Sequence, residues 1–235
     1  MKPEVICHIM SSVDGRLIDS RWSDTYEGSH IDALKEYVAA GRELDTDAWM
    51  FGKNTLRAFF PEKFEPSAAV ITADKPRVYK GDRTSARMFV VADDEGDIRF
   101  TSSTVRGDNI LVIVGRNVTE DYLAHLREQG ISYVIVARVT NLAEWLEAIG
   151  REFGIRRISV QGGGIINGAL LAAGVIDELS LVMYPGIDGL SGVPSIFEYI
   201  GGDTAHPAQG QRLQLLSAAQ RNFGVVWLRY RFRRD

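Results

Sequence analysis

Ser159-Val-Gln-Gly-Gly-Gly-Ile-Ile-Asn-Gly-Ala-Leu-Leu-Ala-Ala-Gly-Val-Ile-Asp-Glu-Leu179 is the stretch that decides how this chain is read. The strand-like run 157–160 enters three consecutive glycines, and a helix-like apolar run over 165–173 follows at once. Glycine is the most costly residue to order, so three together need a reason. Ligands of parallel sheets lie at the carboxyl ends of the strands. A helix start there offers free N–H groups and the positive end of its dipole to a phosphate. Gly162, Gly163 and Gly164 have no Cβ to keep a phosphate off the backbone, and Ile165, Ile166, Asn167 and Gly168 extend the turn. Close strand-to-helix packing is the other reading of the same glycines. The spacing G-G-G-x-x-N-G, late in the chain, is not the G-x-G-x-x-G that follows a first strand in the dinucleotide fingerprint.

Working outward, short β-branched runs at 87–92, 109–115, 133–137 and 157–160 alternate with helical patterns at 119–129 and 142–153. That alternation predicts βαβ units and a parallel sheet, an α/β chain. A strand is expected at 178–184, a loop-rich stretch at 185–207, and an antiparallel pair at one sheet edge from 212–218 and 224–233. Before them come a buried strand at 5–10, a polar loop at 11–28, and a helix at 29–40. Ser29 is the expected cap of that helix, with Ile31, Leu34, Tyr37 and Val38 on its apolar face. A short strand at 47–52 and a helical turn at 54–60 lead into irregular chain at 61–76, with a further short strand possible at 68–72. No repeat, low-complexity tract or linker interrupts the 235 residues, and one domain over 1–235 is the simplest organisation.

The chain is 45% hydrophobic and 25% charged, ordinary for a globular protein, and its net charge of −4 gives no footprint for nucleic acid or an anionic membrane. Arg229, Arg231 and Arg233 alternate with Tyr230 and Phe232, which reads as a strand with one solvated face. The single cysteine, Cys7, excludes a disulfide framework and points to a reducing compartment, hence the cytoplasm. No stretch has the length and flanks of a signal peptide or a membrane span.

Two more strand ends carry candidate groups. Met50-Phe-Gly-Lys-Asn-Thr55 places Gly52 and Thr55 at a helix start, and Ile113-Val-Gly-Arg-Asn117 ends a strand with a glycine and a cation. Arg116 there is a candidate for a 2′-phosphate, which would select NADPH over NADH. A capped turn and a solvated arginine are the plain readings.

Together these residues resemble the pyrimidine reductases of riboflavin biosynthesis. The resemblance rests on Met10-Ser-Ser-Val-Asp-Gly-Arg16, Gly52-Lys-Asn-Thr55, and Gln161-Gly-Gly-Gly-Ile-Ile-Asn167 with Gly174-Val-Ile-Asp-Glu-Leu179. It implies a dihydrofolate reductase-like three-layer αβα domain, mostly parallel, with an antiparallel C-terminal edge pair. It also implies NADPH as cofactor, with the diphosphate on residues 163–167 and with Met10, Trp22, Gly52 and Thr55 among its contacts. Ser20 and Gln161 match substrate-contacting positions. A small-molecule substrate, no metal, and a homodimer through the sheet edge complete the implied picture. The zinc deaminase of bifunctional relatives has no counterpart: there is no Cys pair, and His8, His30, His125 and His206 are scattered. Gln161 stands where the family usually has glutamate. Phe59-Phe-Pro-Glu-Lys-Phe64 does not match the family's Asp-Pro-x-Leu-Thr-x-Arg, leaving Lys63 or Arg57 as substitutes for its arginine. Asp14 is the candidate catalytic residue, orienting substrate or water, or else capping its own turn with Gly15. A pterin or other heterocyclic substrate, and a nucleotide-binding module without catalysis, stay open as alternatives.

Overall fold

The computed structural model describes residues 1–66 and 78–234. Its strands are β1 (Glu4–Ser11), β2 (Ala48–Met50), β3 (Val78–Tyr79), β4 (Met88–Asp93), β5 (Thr104–Val105), β6 (Asp108–Gly115), β7 (Ser132–Val136), β8 (Arg157–Val160), β9 (Glu178–Met183), β10 (Gln211–Gln220) and β11 (Val226–Arg234). The helices are α1 (His30–Glu43), α2 (Lys53–Phe59), α3 (Glu120–Glu128), α4 (Leu142–Phe153) and α5 (Gly164–Ala172). The chain forms two compact units, 1–3 with 47–158, and 4–46 with 159–235.

In the 47–158 unit, β2, β4, β6 and β7 are parallel neighbours in that order, and β3 closes the edge antiparallel to β7. β6 reads Asn109-Ile-Leu-Val-Ile-Val-Gly115 and is buried on both faces from Asn109 onward, as expected for a strand covered by helices. α4 shows why the intervening segments are helical. Leu142, Trp145, Leu146 and Ile149 recur at three- and four-residue steps and are buried, Asn141 accepts the Glu144 N–H as cap, and Gly154 ends the helix at φ +70°. Phe89, Val112, Tyr122, Leu126 and Tyr133 belong to one apolar core, and burial of each such side chain contributes about 1.5–3 kcal/mol.

In the other unit the strand order is β10-β11-β9-β1-β8, with β1 and β9 parallel and β11 antiparallel to both β9 and β10. The C-terminal edge pair is therefore as expected. Met10, Trp22, Val182, Tyr184 and Trp227 share a core with Ala33 and Ala40 of α1.

Three expectations are corrected. The buried face of α1 carries Ala33, Glu36 and Ala40, and Leu34 and Tyr37 pack against the same core as expected, while Ile31 and Val38 are exposed, because the 3.6-residue period that faces the core does not run through those two. The arginines of β11 do not form one solvated face: Arg229 pairs with the buried Glu178 at 2.6 Å and lies over the Trp227 ring. β3 and β5 were not expected at all, since two-residue strands carry no readable period. The possible strand at 68–72 lies outside the described residues.

Candidate active site

The glycine turn after β8 has three different causes. Gly162 takes φ +82°, a conformation that side chains disfavour, and the Gly162–Gly163 peptide is cis. A Cβ at Gly164 would lie 2.3 Å from the Ser195 carbonyl oxygen, and one at Gly168 would lie 2.4 Å from the Glu198 backbone. These two glycines therefore admit the chain's own 195–199 loop: at Gly164 the missing Cβ makes room for that loop and not for a phosphate. Gly163 is different. It has ordinary backbone angles, φ −71° and ψ −169°, and nothing within 4 Å of where its Cβ would be. It is also the N-cap residue of α5, and the first turn, including Ile165 and Ile166, has no side-chain cap. Asn167 is fully buried. Its Nδ2 donates to the Ile196 carbonyl at 2.9 Å, while its Oδ1 is a buried acceptor without a partner. An open, uncapped helix start of this kind suits the diphosphate of a dinucleotide.

The same unit holds the loop after β1. Asp14 accepts from the Ser12 hydroxyl at 2.6 Å and from the Asp188 and Gly189 N–H groups at 3.1 and 2.9 Å. These donors lower its pKa to about 2, the serine hydroxyl contributing most. Asp14 is thus ionised at neutral pH and ties the 12–16 turn to the 186–190 loop. Met10 and Trp22 are both buried in the core beside Tyr184, whose ring centroid is 4.8 Å from that of Trp22. The Trp22 indole N–H is buried without a partner. Ser20 is exposed in the short helical turn Asp19–Arg21. Gln161 is half-buried and its amide reaches the Ser159 hydroxyl at 3.4 Å.

In the 47–158 unit, Gly52 precedes α2 and Thr55 donates its N–H to the Gly52 carbonyl at 3.0 Å. Lys53, between them, pairs with Glu95 at 2.8 Å. Glu95 and Arg116 line one open cleft of about 460 Å³ with Asp94, Asn117, Arg138 and Thr140. Every one of these follows the carboxyl end of β4, β6 or β7. Asp94, Glu95 and Arg138 were not anticipated from the sequence. The signal was a charged residue directly after a β-branched run, weaker to the eye than a terminal glycine. Lys63 lies instead in an isolated bridge to Ile98, and the side chain of Arg57 is outside the description.

Comparison with known families matches residues 3–226 to the RibD C-terminal domain. Two relatives are each named 2,5-diamino-6-ribosylamino-4(3H)-pyrimidinone 5′-phosphate reductase. The one from Methanothermobacter thermautotrophicus is 27% identical over 80% of this chain and 81% of its own. The one from Archaeoglobus fulgidus is 24% identical over 79% of this chain and 81% of its own. Among solved structures, a pyrimidine reductase-like protein from Corynebacterium diphtheriae superposes over 99% of this chain and 93% of its own, with a TM-score of 0.64 and 19% identity. The fold is the expected dihydrofolate reductase-like α/β fold with a mostly parallel sheet. With the match running over nearly all of its length, the chain belongs to the RibD C-terminal domain family.

Proposed function

We propose that the chain is an NADPH-dependent reductase of riboflavin biosynthesis, acting on a ribosylaminopyrimidine 5′-phosphate of the kind its archaeal relatives are named for. Residues 1–235 act as one reductase domain in this reading. The observation that carries it is the α5 start: the Cβ position of Gly163 is open and the first helical turn has no side-chain cap.

When bound, the nicotinamide cofactor supplies a hydride for the ribosyl carbon of the substrate. This chain's residues bind, orient and exclude water, which is where an enzyme of this type gains its rate. The Gly163–Asn167 turn holds the diphosphate, with the N–H groups of Gly164, Ile165 and Ile166 as donors. Met10 and Trp22 offer an apolar wall in the same unit, and Gly52, Thr55 and Arg116 are the cofactor contacts expected within the 47–158 unit by itself. Ser20 and Gln161 contact the substrate. Asp14, being ionised, orients groups through the loop it holds and does not deliver the proton. A single buried free cysteine fits a reducing, cytoplasmic setting. The exposed Leu213 and Leu215 on the edge strand β10 support a homodimer through that edge.

The test is titration of NADPH and NADH by fluorescence on the wild type and a Gly163→Asp variant. The new carboxylate has room to fold and repels a diphosphate. Tight NADPH binding that the variant loses is the expected result. Absence of nucleotide binding by the wild type sinks the reading. Growth rescue of a strain lacking the pathway reductase then decides between the pyrimidine and a pterin-like heterocycle.

A further inference from the structure

Reduction of a ribosylamine consumes a hydride and a proton, and the side chains assigned so far leave the proton without a source. Asp14 is ionised and only accepts hydrogen bonds, and Gln161 carries no ionisable proton. A donor stands in the same unit as both, 4–46 with 159–235. The glycine turn borders the end of β1, since a Cβ at Gly162 would lie 2.5 Å from the Ile9 side chain. β1 and β9 end side by side, with Ser11 opposite Met183. Directly after β9, Tyr184 packs on Trp22, and the ring of His30 stands 5.1 Å from that of Tyr184 and 6.2 Å from that of Trp22. His30 thus belongs to the carboxyl edge of these strands, where ligands of such sheets lie.

The surroundings of the imidazole suit proton transfer. Its Nε2 is 3.5 Å from Asp19 Oδ2, and its Nδ1 has no partner among the described residues. The His30 side chain is 32% exposed, so one edge meets solvent and the other meets the Trp22 wall. Asp19 shares its short turn with Ser20 and with Arg21, and Asp188 takes up Arg21 through two hydrogen bonds at 2.9 and 3.1 Å. On α1 itself, Asp32 is held by Ser29 and Lys35. The Tyr184 phenol is the other candidate acid, but burial, helped by the Asp24 charge, raises its pKa and makes it reluctant to give up its proton.

We propose that His30 is the general acid of the reduction and that Asp19 is its positioning residue. The inference rests on the reductase reading above and deepens it. In the imidazolium, Nε2–H donates to Asp19 and Nδ1–H is the proton that leaves. It passes to the ribose ring oxygen. The bond from that oxygen to C1′ breaks with its electron pair kept by oxygen, and the lone pair of the exocyclic amine closes a C1′=N bond. C1′ is then the carbon that accepts the hydride, and the C=N π pair returns to nitrogen. One proton and one hydride are consumed, and the imidazole regains its proton from solvent.

The experiment uses the full chain with NADPH and 2,5-diamino-6-ribosylamino-4(3H)-pyrimidinone 5′-phosphate, on wild type, His30→Gln and Asp19→Asn, each checked for folding by thermal melting. His30→Gln should lower kcat about 10²–10⁴-fold, with KM and the NADPH dissociation constant within about threefold of wild type. The fall of kcat with rising pH across about pH 5–8 should disappear in that variant, and added imidazole should restore part of the rate. Asp19→Asn should lower kcat by a smaller factor, about tenfold, with KM unchanged. With NADP⁺ present, so that no turnover occurs, the ring-proton NMR signals of His30, assigned by their loss in His30→Gln, should move as the pyrimidine is added. A kcat in His30→Gln within about threefold of wild type, a lower kcat with an unchanged pH profile, or signals that stay in place overturns the role of His30 and leaves the reductase reading standing. A wild type that oxidises no NADPH with this pyrimidine overturns both.

Discussion

Adding one methyl group at each glycine of the β8–α5 turn separates their roles. Gly163→Ala has open space and ordinary backbone angles, so its melting temperature should stay close to wild type. Gly164→Ala and Gly168→Ala push a Cβ into the 195–199 backbone, and each should lose about 1–3 kcal/mol in denaturant unfolding. Equal losses at all three positions would contradict the geometry. Another residue-scale effect concerns His8, buried in β1 and stacked on Tyr37 at 4.4 Å. Its Nε2–H donates to the Tyr37 carbonyl at 3.1 Å. Nδ1 then accepts from the Ser180 hydroxyl at 2.9 Å, and that oxygen accepts the Trp227 indole N–H at 2.8 Å. Burial lowers the histidine pKa from 6.5 to about 4. The unfolded chain therefore takes up a proton at a pH where the folded chain does not. Stability from His8 is full above pH 6.5 and is lost as pH falls toward 4, by about 3 kcal/mol in all. A His8→Gln variant should show a flatter stability profile across that window, read by urea unfolding at each pH.

At the scale of elements, the pairing of β11 with β9 depends on one charge. Glu178 is 1% exposed and its carboxylate is held by Arg229 at 2.6 Å. Arg229→Met should cost about 3 kcal/mol or more by stranding a buried charge. Adding Glu178→Leu should recover most of that loss in the same unfolding assay, because neither charge is then buried. This pair also shows where sequence reading stops. The period-2 run of 229–233 named the strand correctly, but a residue's neighbour across the sheet is set by register, which period does not encode. α1 makes a similar point. Ser29 and Asp32 form a full capping box, so its start was readable from local chemistry. Its buried face was not, because only tertiary packing selects Ala33 and Ala40 over Ile31. The glycine turn was located by composition, whereas its division between loop contact and open space needed the 195–199 backbone. The cleft loop was missed for a related reason: Asp93 is recognisable as its organiser only when three N–H groups are seen to converge on it.

For the molecule as a whole, β10 bears the consequence of being last in its sheet. Leu213 and Leu215 are half-exposed along a ten-residue edge strand, a pattern that proteins normally blunt or cover. With a second copy as the covering partner, Leu215→Lys should convert a dimer to a monomer in sedimentation velocity. A dimer unchanged by that substitution would place the association elsewhere. The lone thiol gives the intact fold an internal clock. Cys7 is completely buried in β1, opposite Leu179, and burial pushes its pKa well above the ordinary range. A thiol-modifying reagent can reach it only when β1 comes away from its neighbours. The labelling rate of the native protein therefore reports, residue-specifically and without any engineered probe, how often the centre of that sheet opens. Bound nucleotide should slow the clock if it stabilises the closed sheet.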